Sequence, residues 1–390
     1  MPLVRLDDML QHARSMGYAV GAYGAVDSTF VSAIVAGAER ARAPVIVSFA
    51  EPHFKHCDFP ALMASAEAAA RRAAVPIALF LDRGKGLDGA IAAIRHGCNG
   101  VMVDASHLSF DENVAATRSV IDMAHAVGAP VEGGLGHVPD LDDVATTYSS
   151  GGIHPTSPEE AARYVSATGV DFLAVSVGTV QDEWSGEPCL DLDCLGAIAK
   201  AAAVPLAIRD GTALSDEQFS VVIARGVAKI DYFTALSDLA AAAASNALAD
   251  VESGYITATA AVHAAIADEV ERTCRAFGAA ERSEAVLAAC RPWRDVEHVI
   301  HFGWAQTAAG REEEFERVGR KVLETVPGVR DVRLGTEIGS EARYPKCWMI
   351  RLASREAEAA YMSDHAHLDY AKNIFRPHAG DRFKSDLEME

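Results

Sequence analysis

Positive charge is scarce in this chain: 35 Lys and Arg stand against 55 Asp and Glu over 390 residues, a formal net charge of −20. That balance leaves no electrostatic footprint for nucleic acid, and no local run of basic residues reverses it. The seven cysteines, Cys57, Cys98, Cys189, Cys194, Cys274, Cys290 and Cys347, are odd in number and scattered, with no C-x-x-C pair. Neither a disulfide framework nor a cysteine zinc site is favoured. No secretory apolar region follows the charged start M-P-L-V-R-L-D-D-M-L, and no long uncharged apolar run is present to span a bilayer. Nucleic acid and membrane are therefore not expected as partners, and the cytoplasm is the expected location.

What the chain does have is apolar material, 50% of its residues, patterned as repeated strand and helix units. The stretch from Ile77 to Leu108 sets the pattern. Two apolar runs, Ile77 to Leu81 and Val101 to Val103, flank a segment with apolar residues at helical spacing that stops at Gly97. Each run is followed by a carboxylate, Asp82 and Asp104, at the strand end where a parallel barrel or open sheet presents its working face. A second signal recurs: a small apolar residue, a proline, then an apolar run, at Ala43-Pro44-Val45, Val75-Pro76-Ile77, Ala129-Pro130-Val131 and Val204-Pro205-Leu206. Proline ends the preceding helix and suits the first position of a strand, so each triplet reads as a helix-to-strand junction. Strands are expected near Ala19, Val45 to Phe49, Ile77 to Leu81, Val101 to Val103, Val131, Phe172 to Val175, Leu206 to Ile208 and Lys229 to Ile230. Eight strands alternating with helices predict a (βα)8 TIM barrel, with a doubly wound open sheet as the second choice. Gly136 to Pro155, polar and glycine-rich, reads as a rim loop suited to act as a lid, and His137 and His154 within it as solvent-facing. An alanine-rich helix or helix pair from about Ala235 to Cys290 closes this part of the chain.

The pattern changes after Arg291-Pro292-Trp293, which divides the chain into domains of residues 1–292 and 293–390. His298 to Phe302 reads as a strand, Arg311 to Glu324 as a charged amphipathic helix, Gly328 to Gly335 and Cys347 to Leu352 as strands, and Glu356 to Met362 as a second helix. That βαββα order predicts a ferredoxin-like α+β domain.

Both parts resemble known families. L-D at Leu81-Asp82, a helix, then V-M-V-D-A-S-H-L at 101–108 is similar to the class II, zinc-dependent fructose-bisphosphate and tagatose-bisphosphate aldolases. The likeness runs on through Gly17-Tyr18-Ala19-Val20, Val131-Glu132-Gly133, Leu173-Ala174-Val175 and Lys229-Ile230, over about residues 1 to 290. The C-terminal part, with P-G-V-R-D-V at 327–332 and H-A-H at 365–367, resembles the stress-responsive α/β barrel (Dabb) domain, which commonly completes its barrel by pairing two copies. The resemblance implies a homodimer or higher homo-oligomer.

A class II aldolase holds one zinc on three imidazoles, to polarise a ketose carbonyl, and uses an aspartate to exchange a proton with the hydroxyl beside the breaking bond. The resemblance assigns that aspartate to Asp82. It places Arg83, Gln181 and Arg209 where the family has its three zinc-binding histidines, and Gly134 where the family has a glutamate able to touch a second metal. A guanidinium has no lone pair to give, so no zinc and no other cofactor is expected. Arg83 and Arg209 are instead expected to act as fixed cations for a carboxylate, a phosphate or a developing enolate, beside Asp82 as acid or base. One alternative is that the two arginines merely pair with Asp82, Asp104 or Asp210 in a site without activity, and another is a relocated divalent metal on Glu51, His53, Asp82 and Asp104.

The phosphate cradle of the family is matched by Gly211, Thr212 and Thr234, with Asp210 and Asp231 replacing its glycine and asparagine. Asp182 follows Gln181 on the same expected rim, and Glu51, His53 and Asp104 complete the expected substrate contacts. A carboxylate at Asp231 argues for a substrate without the family's phosphate unless Arg209 or Lys229 offsets it. In the C-terminal domain, Tyr361 and His367 stand at the separation of an acid/base couple used by one Dabb protein, and Trp304, Tyr370 and Phe375 are expected around them. The expected function is an aldolase-type carbon–carbon lyase working through an enolate on a small anionic carbonyl substrate of the sugar phosphate or sugar acid type. The rivals are an isomerase or epimerase using the same enolate, and a non-catalytic binding or scaffold protein.

Overall fold

A computed structural model of the chain describes residues 2–136, 155–178, 190–209, 211–249, 254–339 and 343–389. Almost all of the expected lid, with His137 and His154, lies outside them. The chain forms two compact units: Met1–Ala90, Cys98–Ile121 and Pro130–Pro292 make one, and Ile91–Gly97, Asp122–Ala129 and Trp293–Glu390 make the other.

The first unit is a closed barrel of eight parallel strands, β1 (Val20–Gly24), β2 (Val45–Ala50), β3 (Ile77–Gly84), β4 (Gly100–Val103), β5 (Val131–Leu135), β6 (Phe172–Val175), β7 (Leu206–Ile208) and β8 (Val227–Tyr232), in sequence order. Closure is made by β8 on β1, with Ala22 opposite Asp231. Each of the four prolines read as a junction stands one residue before its strand, at Val45, Ile77, Val131 and Leu206. Helix α1 (Leu6–Met16) precedes β1. The strands alternate with α2 (Ser28–Ala41), α3 (Phe59–Arg72), α4 (Leu87–Arg95), α5 (Phe110–Ala126), α6 (Pro158–Thr168), α7 (Leu192–Ala202) and α8 (Asp216–Ala224). The helices start where capping chemistry permits. Asp27 accepts from the N–H groups of Thr29 and Phe30 at the head of α2, and Ser215 with Gln218 forms a capping box on α8.

Two expectations need correction. The segment after β8 is three helices, α9 (Thr234–Leu248), α10 (Tyr255–Ala276) and α11 (Ser283–Ala289), and α10 is anchored to the barrel wall by the Tyr23 hydroxyl, 2.7 Å from Thr273 Oγ1. Strand β3 also runs three residues past Leu81, which places Asp82 inside it.

In the second unit, β9 (Val296–Trp304), α12 (Glu312–Leu323), β10 (Val329–Thr336), β11 (Lys346–Leu352), α13 (Arg355–Ser363), α14 (His365–Tyr370) and β12 (Ala379–Glu388) follow in order. The four strands form one antiparallel sheet in the order β10-β11-β9-β12, a ferredoxin-like arrangement. The sequence reading stopped at the second helix and missed β12. Its register puts Arg382, Lys384 and Asp386 beside Phe302, Ile300 and His298 of β9. Among the described residues, no helix is long and apolar enough to cross a membrane.

Candidate active site at the mouth of the barrel

The site begins with a bulge. Leu81 of β3 pairs with Val101 of β4 and Gly84 with Val103, so Asp82 and Arg83 together oppose the single residue Met102. A bulge re-aims the side chains it carries, and here they are the candidate acid/base and one candidate cation. Arg83 adopts φ 50°, a left-handed conformation that costs a non-glycine residue roughly 1 kcal/mol. Gly84 is required by close approach: a Cβ there would lie 2.2 Å from the Met102 carbonyl oxygen. The same turn is tied down by the Asp104 N–H, which donates to the Gly84 carbonyl at 2.9 Å.

Two ion pairs then cross the lumen between strands that are not neighbours. Arg209, just after β7, reaches Asp104, just after β4, at 2.8 Å. Burial would raise the Asp104 carboxyl, but the Arg209 guanidinium, the Ser106 hydroxyl donating at 2.7 Å and the charge of Arg83 outweigh it and hold the pKa down at about 2. Burial would lower the Arg209 guanidinium, but Asp104, Asp82, Asp231 and Glu132 together raise it. Arg209 is therefore a permanent cation facing four carboxylates.

Deeper in the same mouth, Lys229 of β8 lies 3.0 Å from Glu132 of β5 and 2.5 Å from Asp231 on its own strand, and its ammonium stands 4.6 Å from the centre of the Phe80 ring. Lys229 and Glu132 are fully buried. Burial pushes the Glu132 carboxyl up to about 8, Lys229 opposes this, and the nearby charges of Asp231 and Asp82 add to it. Burial works against the Lys229 charge, yet the carboxylates of Asp231 and Glu132 beside it raise its pKa, while burial raises that of Asp231 against the pull of Lys229. Ser176 Oγ and Asp231 Oδ2 are buried with no hydrogen-bond partner among the described residues. From the sequence, Glu132 was not singled out as a site residue, and Lys229 entered only as a possible offset to Asp231. The signal was charge inside two otherwise largely apolar strands, one carboxylate in V-E-G-G-L and a lysine with an aspartate in V-A-K-I-D-Y.

The other expected contacts divide. Gly211 is pressed against β8, where a Cβ would lie 2.4 Å from Ile230 Cγ2, and Thr212 Oγ1 accepts from the Ala235 N–H at 3.4 Å, beside Thr234 at the start of α9. The expected cradle is thus assembled next to Asp231. Lys229 offsets the Asp231 charge at 2.5 Å, so the sequence argument against a phosphate loses its force. Glu51 is engaged elsewhere, its Oε2 accepting the Lys85 N–H at 2.8 Å and so bracing the loop before α4. The His53 ring packs 5.0 Å from that of Phe233. Gln181, Asp182 and Asp210 lie outside the described residues.

Carboxylates, a hydroxyl and fixed cations gathered at the C-terminal ends of barrel strands define the architecture of a barrel enzyme. The chain belongs to the class-II fructose-bisphosphate aldolase family, whose model matches residues 4–282. The probable fructose-bisphosphate aldolase of Bacillus subtilis (strain 168) is 35% identical over 237 residues, 60% of this chain and 82% of that protein. The fructose-bisphosphate aldolase of Thermus caldophilus is 35% identical over 212 residues, 54% of this chain and 69% of that one. The crystal structure of the YdjI aldolase from Escherichia coli K12 superposes with a TM-score of 0.66 at 26% identity, covering 72% of this chain and 99% of that one. The shared activity class is that of an aldolase-type lyase.

Zinc does not fit the donors that this chain presents. In the sequence resemblance, two of the three positions expected to bind zinc fall on Arg83 and Arg209, and a guanidinium offers no lone pair. Arg209 is moreover committed to Asp104. The glutamate position is Gly134, where a Cβ would stand 3.4 Å from Asp104 Oδ1. Among the described residues, no group of three or more His, Cys, Asp or Glu side chains is placed to hold a metal ion. The alternative set of Glu51, His53, Asp82 and Asp104 is therefore not assembled, because Glu51 and Asp104 already answer to Lys85 and Arg209.

In the C-terminal unit, the rings of Tyr361 and His367 stack at 4.1 Å and both line a cavity of about 250 Å³, with Tyr370 and Phe375. Trp304 is not among its walls: its Nε1 donates to Glu316 at 3.0 Å, and Trp348 takes the place expected for it.

Proposed function

We propose that the barrel makes or breaks a carbon–carbon bond beside the carbonyl of a small anionic substrate, a sugar phosphate or sugar acid, through an enolate and without the family's zinc. The observation that carries this reading is the Arg209 guanidinium, held at 2.8 Å from Asp104 in the lumen where the family's chemistry needs positive charge. In the cleavage direction, Asp82 takes the proton of the hydroxyl on the carbon losing its bond, that oxygen becomes a carbonyl, and the electron pair of the broken bond passes into the enolate. Arg209 and Arg83 stabilise the oxygen on which negative charge develops. Asp82 then returns a proton to the enolate carbon or to solvent. Fixed cations in a partly buried site need little reorganisation as the charge appears, which is the electrostatic work otherwise done by a metal.

The cradle of Gly211, Thr212 and Thr234 holds the anionic end of the substrate in this reading, with Lys229 offsetting Asp231 beneath it. The ferredoxin-like unit is read as a Dabb domain, with Tyr361 and His367 as acid and base candidates for whatever its cavity binds. The test is turnover of a panel of sugar phosphates and 2-keto sugar acids by the wild-type chain and by Asp82→Asn. Turnover lost in a folded Asp82→Asn variant supports the enzyme. Absence of turnover across the panel favours the non-catalytic alternative.

A further inference from the structure

We infer that the cavity of the C-terminal unit is a second ligand site, built for a small carboxylic acid with an apolar body. The cavity encloses about 250 Å³, near the small end of ligand pockets, which run from about 300 Å³ upward. Its walls are mostly hydrocarbon and aromatic: Ile300, Leu323, Ile350 and Phe375 with Trp348.

Two further observations point to an occupant. His367 is 6% exposed and lines the cavity, as does Trp348, 1% exposed; among the described residues neither His367 Nδ1 nor Trp348 Nε1 has a hydrogen-bond partner. A buried polar atom without a partner costs about 1 to 3 kcal/mol, and here a ligand polar group would meet it. Burial, and then the neighbouring His298, lower the pKa of the imidazole and so favour its neutral form, a hydrogen-bonding group.

The formal charges lining the cavity are all positive, Arg376, Arg382 and Lys384, in a chain whose net charge is −20. The adjoining carboxylate, Asp386, is turned to His298 and lies 3.7 Å from Lys384. Arg376 and Arg382 form no ion pair among the described residues and remain for an incoming anion. Apolar walls, a buried neutral hydrogen-bonding ring and two arginines describe the complement of an acid whose body enters the cavity while its carboxylate is held by a guanidinium.

The test is calorimetric titration of the full chain with 4-phenylbutyrate and with 4-phenylbutan-1-ol, which has the same body and no charge. The expected result is saturable binding of the acid, at least tenfold tighter than the alcohol, with the His367 ring signals shifting in the NMR spectrum. In the Arg376→Gln/Arg382→Gln double variant, which changes only exposed side chains, the preference for the acid disappears. Filling the cavity with Ala371→Trp removes binding of both compounds. Asp82→Asn leaves all of it unchanged, so this inference and the barrel reading fail separately. No saturable binding at millimolar concentration, or binding of the acid that is indifferent to the arginine pair and leaves the His367 signals unmoved, overturns it.

Discussion

At the barrel mouth, buried charges are matched, Arg209 with Asp104 and Lys229 with Glu132 across the lumen and Lys229 with Asp231 along β8, whereas the C-terminal cavity leaves His367 Nδ1 and Trp348 Nε1 unpaired among the described residues. The first arrangement fixes the positions of charges before any substrate arrives. The second provides room and a few polar atoms, with positive charge only among its exposed lining residues. Preorganised charge suits a reaction in which charge moves, because the surroundings need not reorient in the transition state. Apolar space rimmed by arginine suits recognition of a body and one charged end. One chain thus holds two sites whose physical designs differ, and each is open to separate perturbation.

The largest effect is expected from Asp82→Asn, which removes the proton-transfer group and leaves the paired charges intact. Turnover should fall by about 10²- to 10⁴-fold, the usual worth of general acid–base catalysis, while 4-phenylbutyrate binding is unchanged. Lys229→Met tests how far the mouth relies on matched charge. Removing one member of a buried ion pair typically costs about 3 to 5 kcal/mol, so urea unfolding should register a loss of that order. In Lys229→Met with Glu132→Gln much of that loss should return, because one of the two orphaned carboxylates is gone.

A smaller effect follows from Asp104. Its carboxyl titrates at about 2 in the fold against an ordinary 3.8. A depressed acid contributes stability that is fully present above the ordinary value and is lost as pH falls through the folded one. Unfolding free energy should therefore drop by about 2 kcal/mol between pH 4 and pH 2 on this account, and Arg209→Gln should flatten that limb. Smallest is Ser106→Ala, which removes the 2.7 Å hydrogen bond to Asp104. About 1 kcal/mol of stability at neutral pH and a shallower acid limb are expected from the same denaturation series.

The barrel was legible because its signals are local. A proline before a β-branched or leucine run marks a strand start whatever the rest of the chain does, and all four such marks were right. Asp82, Asp104 and Arg209 were legible as rim residues because each follows an apolar run. The partnership of Lys229 with Glu132 was not, since the two are 97 positions apart and meet only because β5 and β8 face each other across the lumen. The bulge at Asp82 and Arg83 was hidden for the same reason: it exists in the pairing of β3 with β4 and not in either strand alone. Strand β12 escaped because A-G-D-R-F-K-S-D-L-E lies at the sheet edge and is largely exposed, so its sequence alternates too weakly to announce a strand. Trp304 shares a sheet face with Trp348 but misses the cavity because of its place along the strand: Trp348 stands opposite Ile300, whereas Trp304 ends β9 and packs on Phe302, Phe315 and Phe375.

Whether fixed cations, and no zinc, stabilise an enolate made by Asp82 is decided by incorporation of solvent deuterium beside the substrate carbonyl. It is followed by NMR on the compounds that the panel identifies as bound or turned over, before and after exhaustive chelation. Exchange that survives chelation and disappears in Asp82→Asn is the expected result. Exchange that is lost on chelation and restored by added zinc would contradict it.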